Sequence, residues 1–273
     1  MCREKVPLFN HDFKESKTYH MWSHCIGAGQ VHAVSDGTHS VFDIENSAWS
    51  KFETTLSPRL NAAAVHDGAG SIVITGGIIK EGAINTCELL DCASHTVTKL
   101  PPMSIARAYH ACVLYRGAVT VIGGDRDSTC EMLVEEGCGE GTKQWRPMAA
   151  LHTSGHWGKL AAVVGDVICV VQPYQSHTQN TVDGRHRFVS RAMETHVYNG
   201  ETWRTVSFFP YHIYGHMTAV WCVSFNDRLA VFTDDVCSIV LLDPATDEWS
   251  VRTLTYPDKG DFKNICPCRA ISY

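Results

Sequence analysis

Three unrelated markers recur along this chain with one spacing, and that spacing constrains the fold more than any other feature. The first is an apolar run closed by two glycines: Ser71-Ile-Val-Ile-Thr-Gly-Gly77 and Ala118-Val-Thr-Val-Ile-Gly-Gly124, with Gly77 and Gly124 47 residues apart. The second is an Asp or Asn, a turn and then a tryptophan. Asp43 leads to Trp49, Asn199 to Trp203 and Asp243 to Trp249, while Trp145 follows a glycine-rich turn. Asp91 leads to Val97, where the pattern expects a tryptophan; positions 49, 97, 145, 203 and 249 step by 48, 48, 58 and 46. The third marker is a turn cluster between two apolar runs: Gly27-Ala-Gly29, Asp67-Gly-Ala-Gly70, Arg116-Gly117, Gly165-Asp166 and Asn226-Asp227. Gly, Asn and Asp tolerate the positive φ that tight hairpins require. Self-similarity at such a period marks a repeat architecture.

Each period holds four short runs rich in Val, Ile, Thr and aromatic residues, with turn residues between them. In the third they are Tyr109–Tyr115, Ala118–Ile122, Cys130–Val134 and Gln144–Pro147. In the fifth they are Met217–Phe225, Leu229–Phe232, Ser238–Leu242 and Trp249–Leu254. No amphipathic helical stretch of comparable strength interrupts them. Four antiparallel strands per period, repeated radially, predict an all-β propeller of about five four-stranded blades. The expected blades are 19–56, 57–104, 105–152, 153–209 and 210–258, with a terminal strand at 264–273 and an N-terminal segment or closing strand at 1–18. The ring is then five-bladed with terminal strand exchange, or an incomplete six-bladed one.

Composition narrows the function. The chain has 273 residues, enough to bury roughly 70–75% of its unfolded surface without disulfide staples. Its net charge of −6 argues against a nucleic-acid surface, which needs a basic stripe. No apolar run is long enough to span a membrane, and residues 1–18 do not read as a secretory leader. Twelve cysteines are scattered over the whole length, several inside apolar runs, so they read as buried thiols of a cytoplasmic, reducing compartment.

The residues around the repeat resemble the kelch family. The carriers are Gly76-Gly77 and Gly123-Gly124 with their apolar runs, Arg107-Ala-Tyr-His110-Ala, Glu88-Leu-Leu-Asp91, Leu100-Pro-Pro-Met103, and Leu242-Asp-Pro-Ala-Thr-Asp-Glu-Trp249. The resemblance covers about residues 19–273. It implies that the double glycine ends the second strand of a blade and lies under an aromatic residue of the fourth. It also implies that loops on one face present arginines to a partner peptide. Departures are clear: blade one has Asp36-Gly37 at the double-glycine place, blade four Val171-Gln172 and blade five Thr233-Asp234. Family members include substrate adaptors of cullin ubiquitin ligases and actin-associated proteins. The ligase role uses a BTB or F-box domain, for which residues 1–18 are too short.

Catalytic and metal motifs are weak. His20, His24, Cys266 and Cys268 could approach one another if the terminal strands paired, but Cys-x-Cys is not a zinc-knuckle spacing. His110 and His216 read as repeat-structural histidines bonding neighbouring backbone. Gly137-Cys-Gly-Glu-Gly141 does not open a helix, so it is a poor phosphate cradle. Asp125, Asp127, Asp234 and Asp235 follow second strands and could form the carboxylate pair of a propeller glycosidase. The expectation is nevertheless no catalytic residue, no cofactor and no metal.

The most distinctive departure is an insertion between Gln172 and Glu194 in the fourth repeat. It reads as a polar loop carrying Tyr174, Arg185, His186, Arg187 and Arg191. Loops on a rigid scaffold concentrate binding residues, and Arg and aromatics are frequent anchors. With Arg126, which follows Gly124 at a blade rim, these are the expected partner-binding residues. Arg59 and Arg107, which precede their first strands, are read as either presented to the partner or bonding an adjacent blade. The expected function is recognition of a partner protein through an acidic or phosphorylated segment. The alternatives are a carbohydrate-acting propeller enzyme and an actin-associated structural protein.

Overall fold

A computed structural model describes residues 23–27, 30–35, 37–136, 142–152, 158–182, 185–209, 220–233 and 238–253. Between 173 and 193 it describes the backbone path only. Among the described residues every regular element is a strand. Blade one is β1 (Ser23–Gly27), β2 (Gln30–Ser35), β3 (Thr38–Asp43) and β4 (Ala48–Glu53). Blade two is β5 (Ala63–His66), β6 (Ser71–Thr75), β9 (Cys87–Asp91) and β10 (Val97–Leu100), with the two-stranded pair β7 (Ile78–Ile79) and β8 (Gly82–Ala83) between its second and third strands. Blade three is β11 (Ala111–Tyr115), β12 (Ala118–Gly124), β13 (Asp127–Glu136) and β14 (Thr142–Met148). Blade four is β15 (Leu160–Val164), β16 (Val167–Val182), β17 (Arg185–Tyr198) and β18 (Trp203–Phe209). Blade five is β19 (Val220–Phe225), β20 (Arg228–Thr233), β21 (Ser238–Asp243) and β22 (Glu248–Thr253).

Each blade is one antiparallel four-stranded sheet of consecutive strands, and the five form a ring: a five-bladed β-propeller. First strands contact first strands in the series β1, β5, β11, β15, β19, which makes them the inner strands. All five blades are four-stranded without a strand from either terminus, so closure by strand exchange is not needed to complete a blade. The segments 1–18 and 264–273 lie outside the described residues, as do His20, Gly137–Gly141, His216, Asp234, Asp235, Cys266 and Cys268; of His24 only the backbone is described.

Register explains the markers. Trp49 pairs with Phe42, Val97 with Leu90, Trp145 with Leu133, Trp203 with Tyr198 and Trp249 with Leu242. These five third-strand partners in turn pair with Val31, Ile72, Val119, Ile168 and Leu229, each the second residue of its second strand. The five positions are therefore equivalent. The Asp or Asn before four of them caps the turn: Asp43 Oδ1 accepts from Asn46 N, Asp91 Oδ1 from Ser94 N, Asn199 Oδ1 from Thr202 N and Asp243 Oδ1 from Ala245 N. The first hairpins carry the positive φ anticipated for them, at Arg116, Gly117, Gly165, Asn226 and Asp227.

The core lies between blades, where alternate residues of neighbouring sheets meet. Ala162, Val164, Cys169 and Val197 of blade four pack on Cys222, Leu229, Val231 and Leu242 of blade five. Ala111, Val113 and Ile122 of blade three meet Ile168, Val170 and Trp203 of blade four. Val34 of blade one meets Ile72, Ile74 and Leu90 of blade two.

The double glycines have a different reason from the one the family resemblance implied. An added Cβ at Gly76 would overlap the Arg107 carbonyl oxygen and stand 2.9 Å from His110 Cε1; at Gly123 it would stand 2.5 Å from Lys159 Cε. The close neighbour is thus the segment entering the next blade, not a fourth-strand aromatic. The tryptophans instead tie blades together: Trp145 Nε1–H donates to Pro101 O at 2.9 Å and Trp203 Nε1–H to Ala149 O at 2.8 Å, just past the fourth strand of the preceding blade. Hairpin register also places Ser35, Gln172 and Thr233 at the position of Gly76 and Gly123, one residue from the expected place in blades one and four.

Candidate binding surface

Connections between second and third strands all leave the same end of their blades, so they share one face of the ring. Beneath that face lies a repeated ionic network. The Arg59 guanidinium donates to Glu88 Oε2 at 2.6 Å and to the carbonyls of Gly76 and Thr86, both at 3.2 Å. Arg107 repeats this arrangement one blade on. It donates to Glu131 Oε1 at 3.0 Å, to Gly123 O at 3.0 Å and to Thr129 O at 2.8 Å, and it also pairs with Asp127. Ser57 Oγ and Ser104 Oγ each donate to the corresponding glutamate at 2.7 Å. Both arginines therefore bond within their own blades, whereas the sequence reading had them presented to the partner or bonding an adjacent blade. It is the Arg107 carbonyl that crosses, accepting from Gly77 N at 2.8 Å. Fully committed and nearly buried, neither guanidinium is available to a partner.

Lys159 stands at the register position of His110, directly before a first strand, and its ammonium crosses to Gly124 O of the preceding blade at 2.5 Å. Burial lowers its pKa, partly offset by Asp127. In blade four, Gln172 donates to Glu194 Oε2 at 2.7 Å. Sequence reasoning missed Glu88, Glu131, Lys159 and Glu194, because the only signal is an Arg and a Glu that register brings together across 24 to 29 residues.

His110 bonds a side chain rather than backbone: its Nε2 lies 2.7 Å from Thr75 Oγ1, across the joint of blades two and three. Desolvation, then Arg107 and Lys159, pushes its pKa down to about 3. Among the glycosidase candidates Asp127 is held by Arg107 and Thr129, so its carboxylate is engaged inside its own blade.

The exposed rim is different. Arg126 sits in the two-residue turn between Gly124 and Asp127, at φ 56°. On the neighbouring blade the insertion is no loop: β16 and β17 form one long hairpin, paired from Ile168↔Tyr198 to Val182↔Arg185. The reason is legible afterwards. Thr178, Thr181 and Val182 on one side and Phe188 and Val189 on the other favour strands, and the two residues left between the strands are Asp183-Gly184, a hairpin dipeptide. Arg185, Arg187 and Arg191 fall at alternate positions of β17, on one face of the ribbon, opposite Val182, Asn180 and Gln175. His186 and Phe188 alternate with them, and Tyr174 pairs with Ala192. Arg126 and the hairpin thus leave the same ring face from adjacent blades.

A second constellation sits between blades one and two. His32, His39, His66 and His95 pack together with Cys92: His32 Nδ1 lies 3.0 Å from His39 Nε2, His39 Nδ1 lies 3.2 Å from His95 Nδ1, and the His32 and His66 rings stack at 5.6 Å. Of these, His32, His66 and Cys92 offer donor atoms that all lie within 4.8 Å of one another, a set among the described residues that could hold a metal ion.

The fold and these joints define the class, a five-bladed β-propeller. No family model matches the chain. A protein of Arabidopsis thaliana named as an F-box/kelch-repeat protein is 30% identical over 105 residues, which is 38% of this chain and 29% of that protein. The chain thus spans less than a third of that relative.

Proposed function

We propose that the protein is a non-catalytic recognition module whose blade-four hairpin grips an acidic or phosphorylated segment of a partner protein. The observation that carries this reading is the hairpin itself. From Gln172↔Glu194 to Val182↔Arg185 it extends on the order of 30 Å, with three arginines on one face in a chain of net charge −6. Guanidinium groups spaced along a ribbon match carboxylate or phosphate groups spaced along a peptide. Arg126, on the same ring face, extends the basic surface. The partial similarity to a protein named for an F-box and kelch repeats supports a protein-binding role, and the commitment of Asp127 to Arg107 speaks against a glycosidase pair there.

Fluorescence polarisation with acidic, phosphorylated and neutral peptide sets tests it. Acidic or phosphorylated peptides should bind, more weakly as salt rises. The triple variant Arg185→Ala, Arg187→Ala, Arg191→Ala should lose about tenfold or more in affinity with an unchanged thermal midpoint. Equal binding by parent and variant removes the hairpin from the account, and turnover of aryl glycosides would replace recognition by catalysis.

A further inference from the structure

The joint between blades one and two holds a side-chain set that partner recognition does not use. His32 lies on β2, His66 ends β5 and Cys92 directly follows β9. The turn after β5 brings the last two together. Cys92 N donates to Gly70 O at 3.0 Å, while Asp67 Oδ1 caps the same turn by accepting from Ala69 N at 2.8 Å and Ser71 N at 2.9 Å. One donor atom from each of His32, His66 and Cys92 lies within 4.8 Å of the others. Around a tetrahedral zinc, with bonds of about 2.0–2.3 Å, ligand atoms stand roughly 3.5 Å apart, so small side-chain rotations close the set.

We propose that His32, His66 and Cys92 bind one zinc-class ion across this joint, stapling blade one to blade two. Two imidazoles and a thiolate select zinc or copper over magnesium or calcium, which take oxygen ligands. The surroundings suit ligation. His32 Nδ1 faces His39 Nε2 and His39 Nδ1 faces His95 Nδ1, while His95 stacks on Phe52 at 3.7 Å. If each ring donates its Nδ1–H to the next, His32 keeps a lone pair on Nε2. That is how ligating histidines are oriented by an outer partner. His66 Nδ1 accepts from Gly68 N at 3.0 Å, and loading exchanges that bond for a metal–nitrogen bond. Three protein ligands leave the fourth tetrahedral position to solvent, and Cys92, only half-buried, gives the ion a way in.

Cobalt titration of the reduced full chain tests the site, since cobalt in a thiolate site gives an intense charge-transfer band that zinc abolishes by displacement. One equivalent should produce the band, and zinc should raise the thermal midpoint because it binds the folded chain. Cys92→Ser should lose the band and the zinc-dependent rise, and His39→Phe should weaken cobalt binding roughly 10–100-fold by releasing His32. His66→Gln supplies the same readout should the serine variant fold poorly. A band retained at parental affinity in Cys92→Ser or His66→Gln, from thiols elsewhere, overturns the proposal, as does a parent chain that gives no band.

Discussion

The indole N–H of Trp203 donates to the carbonyl oxygen of Ala149 at 2.8 Å, so the fourth blade is bonded to the chain just leaving the third. The ring also packs on Tyr198, with centroids 4.9 Å apart. Two contributions can be separated. Trp203→Phe keeps most of the packing and loses the donor, at a cost of about 1 kcal/mol. Trp203→Ala loses both, at about 3–5 kcal/mol. Urea unfolding midpoints measure the difference, and equal losses would place the whole effect in the hydrogen bond.

Gly76 and Gly158 should respond oppositely to one methyl group. At Gly76 φ is +54° and the methyl would meet the Arg107 carbonyl, so Gly76→Ala should cost roughly 2–5 kcal/mol. At Gly158 φ lies outside the left-handed region and nothing stands within 4 Å, so Gly158→Ala should be neutral or stabilise by about 0.4–1 kcal/mol through the unfolded chain. Thermal midpoints of the two variants check the contrast.

Removing Glu131 leaves the Arg107 guanidinium with one carboxylate in a nearly closed site. Glu131→Ala should cost about 3–5 kcal/mol. Arg204 and Asp247 also pair, but their side chains are 41% and 42% exposed, so Arg204→Ala should cost about 0–1 kcal/mol. A double-mutant cycle at each pair, read by denaturant unfolding, distinguishes them.

His110 makes stability depend on pH with a definite sign. Its folded pKa of about 3 lies below the ordinary value of 6.5, so between these limits the unfolded chain binds the extra proton. Its contribution is complete above pH 6.5 and is lost as pH falls toward 3, at up to roughly 1.4 kcal/mol per pH unit. His110→Leu should flatten the stability profile between those limits by about one proton; an unchanged slope would show that the folded chain protonates His110 as readily as the unfolded one.

Much of the fold was written in local chemistry. Asp43, Asp91, Asn199 and Asp243 cap turns three or fewer residues ahead, and Arg116-Gly117 and Asn226-Asp227 supply positive φ where they stand. Such signals involve neighbours in sequence, so their period was visible before any contact was known. The Asp183-Gly184 signal was equally present, but the polarity of the segment around it favoured the reading as a loop.

By itself, then, the sequence determined the strands, their turns, the equivalence of Trp49, Trp145, Trp203 and Trp249, and a basic insertion in an acidic chain. Tertiary structure alone decided which charges are spent inside the protein and which side chains share a joint. Arg107 became a buried strut because Glu131 and Gly123 arrive from other strands. His32, His66 and Cys92 meet because two sheets stack face to face, a relation set by packing between blades that no local pattern encodes.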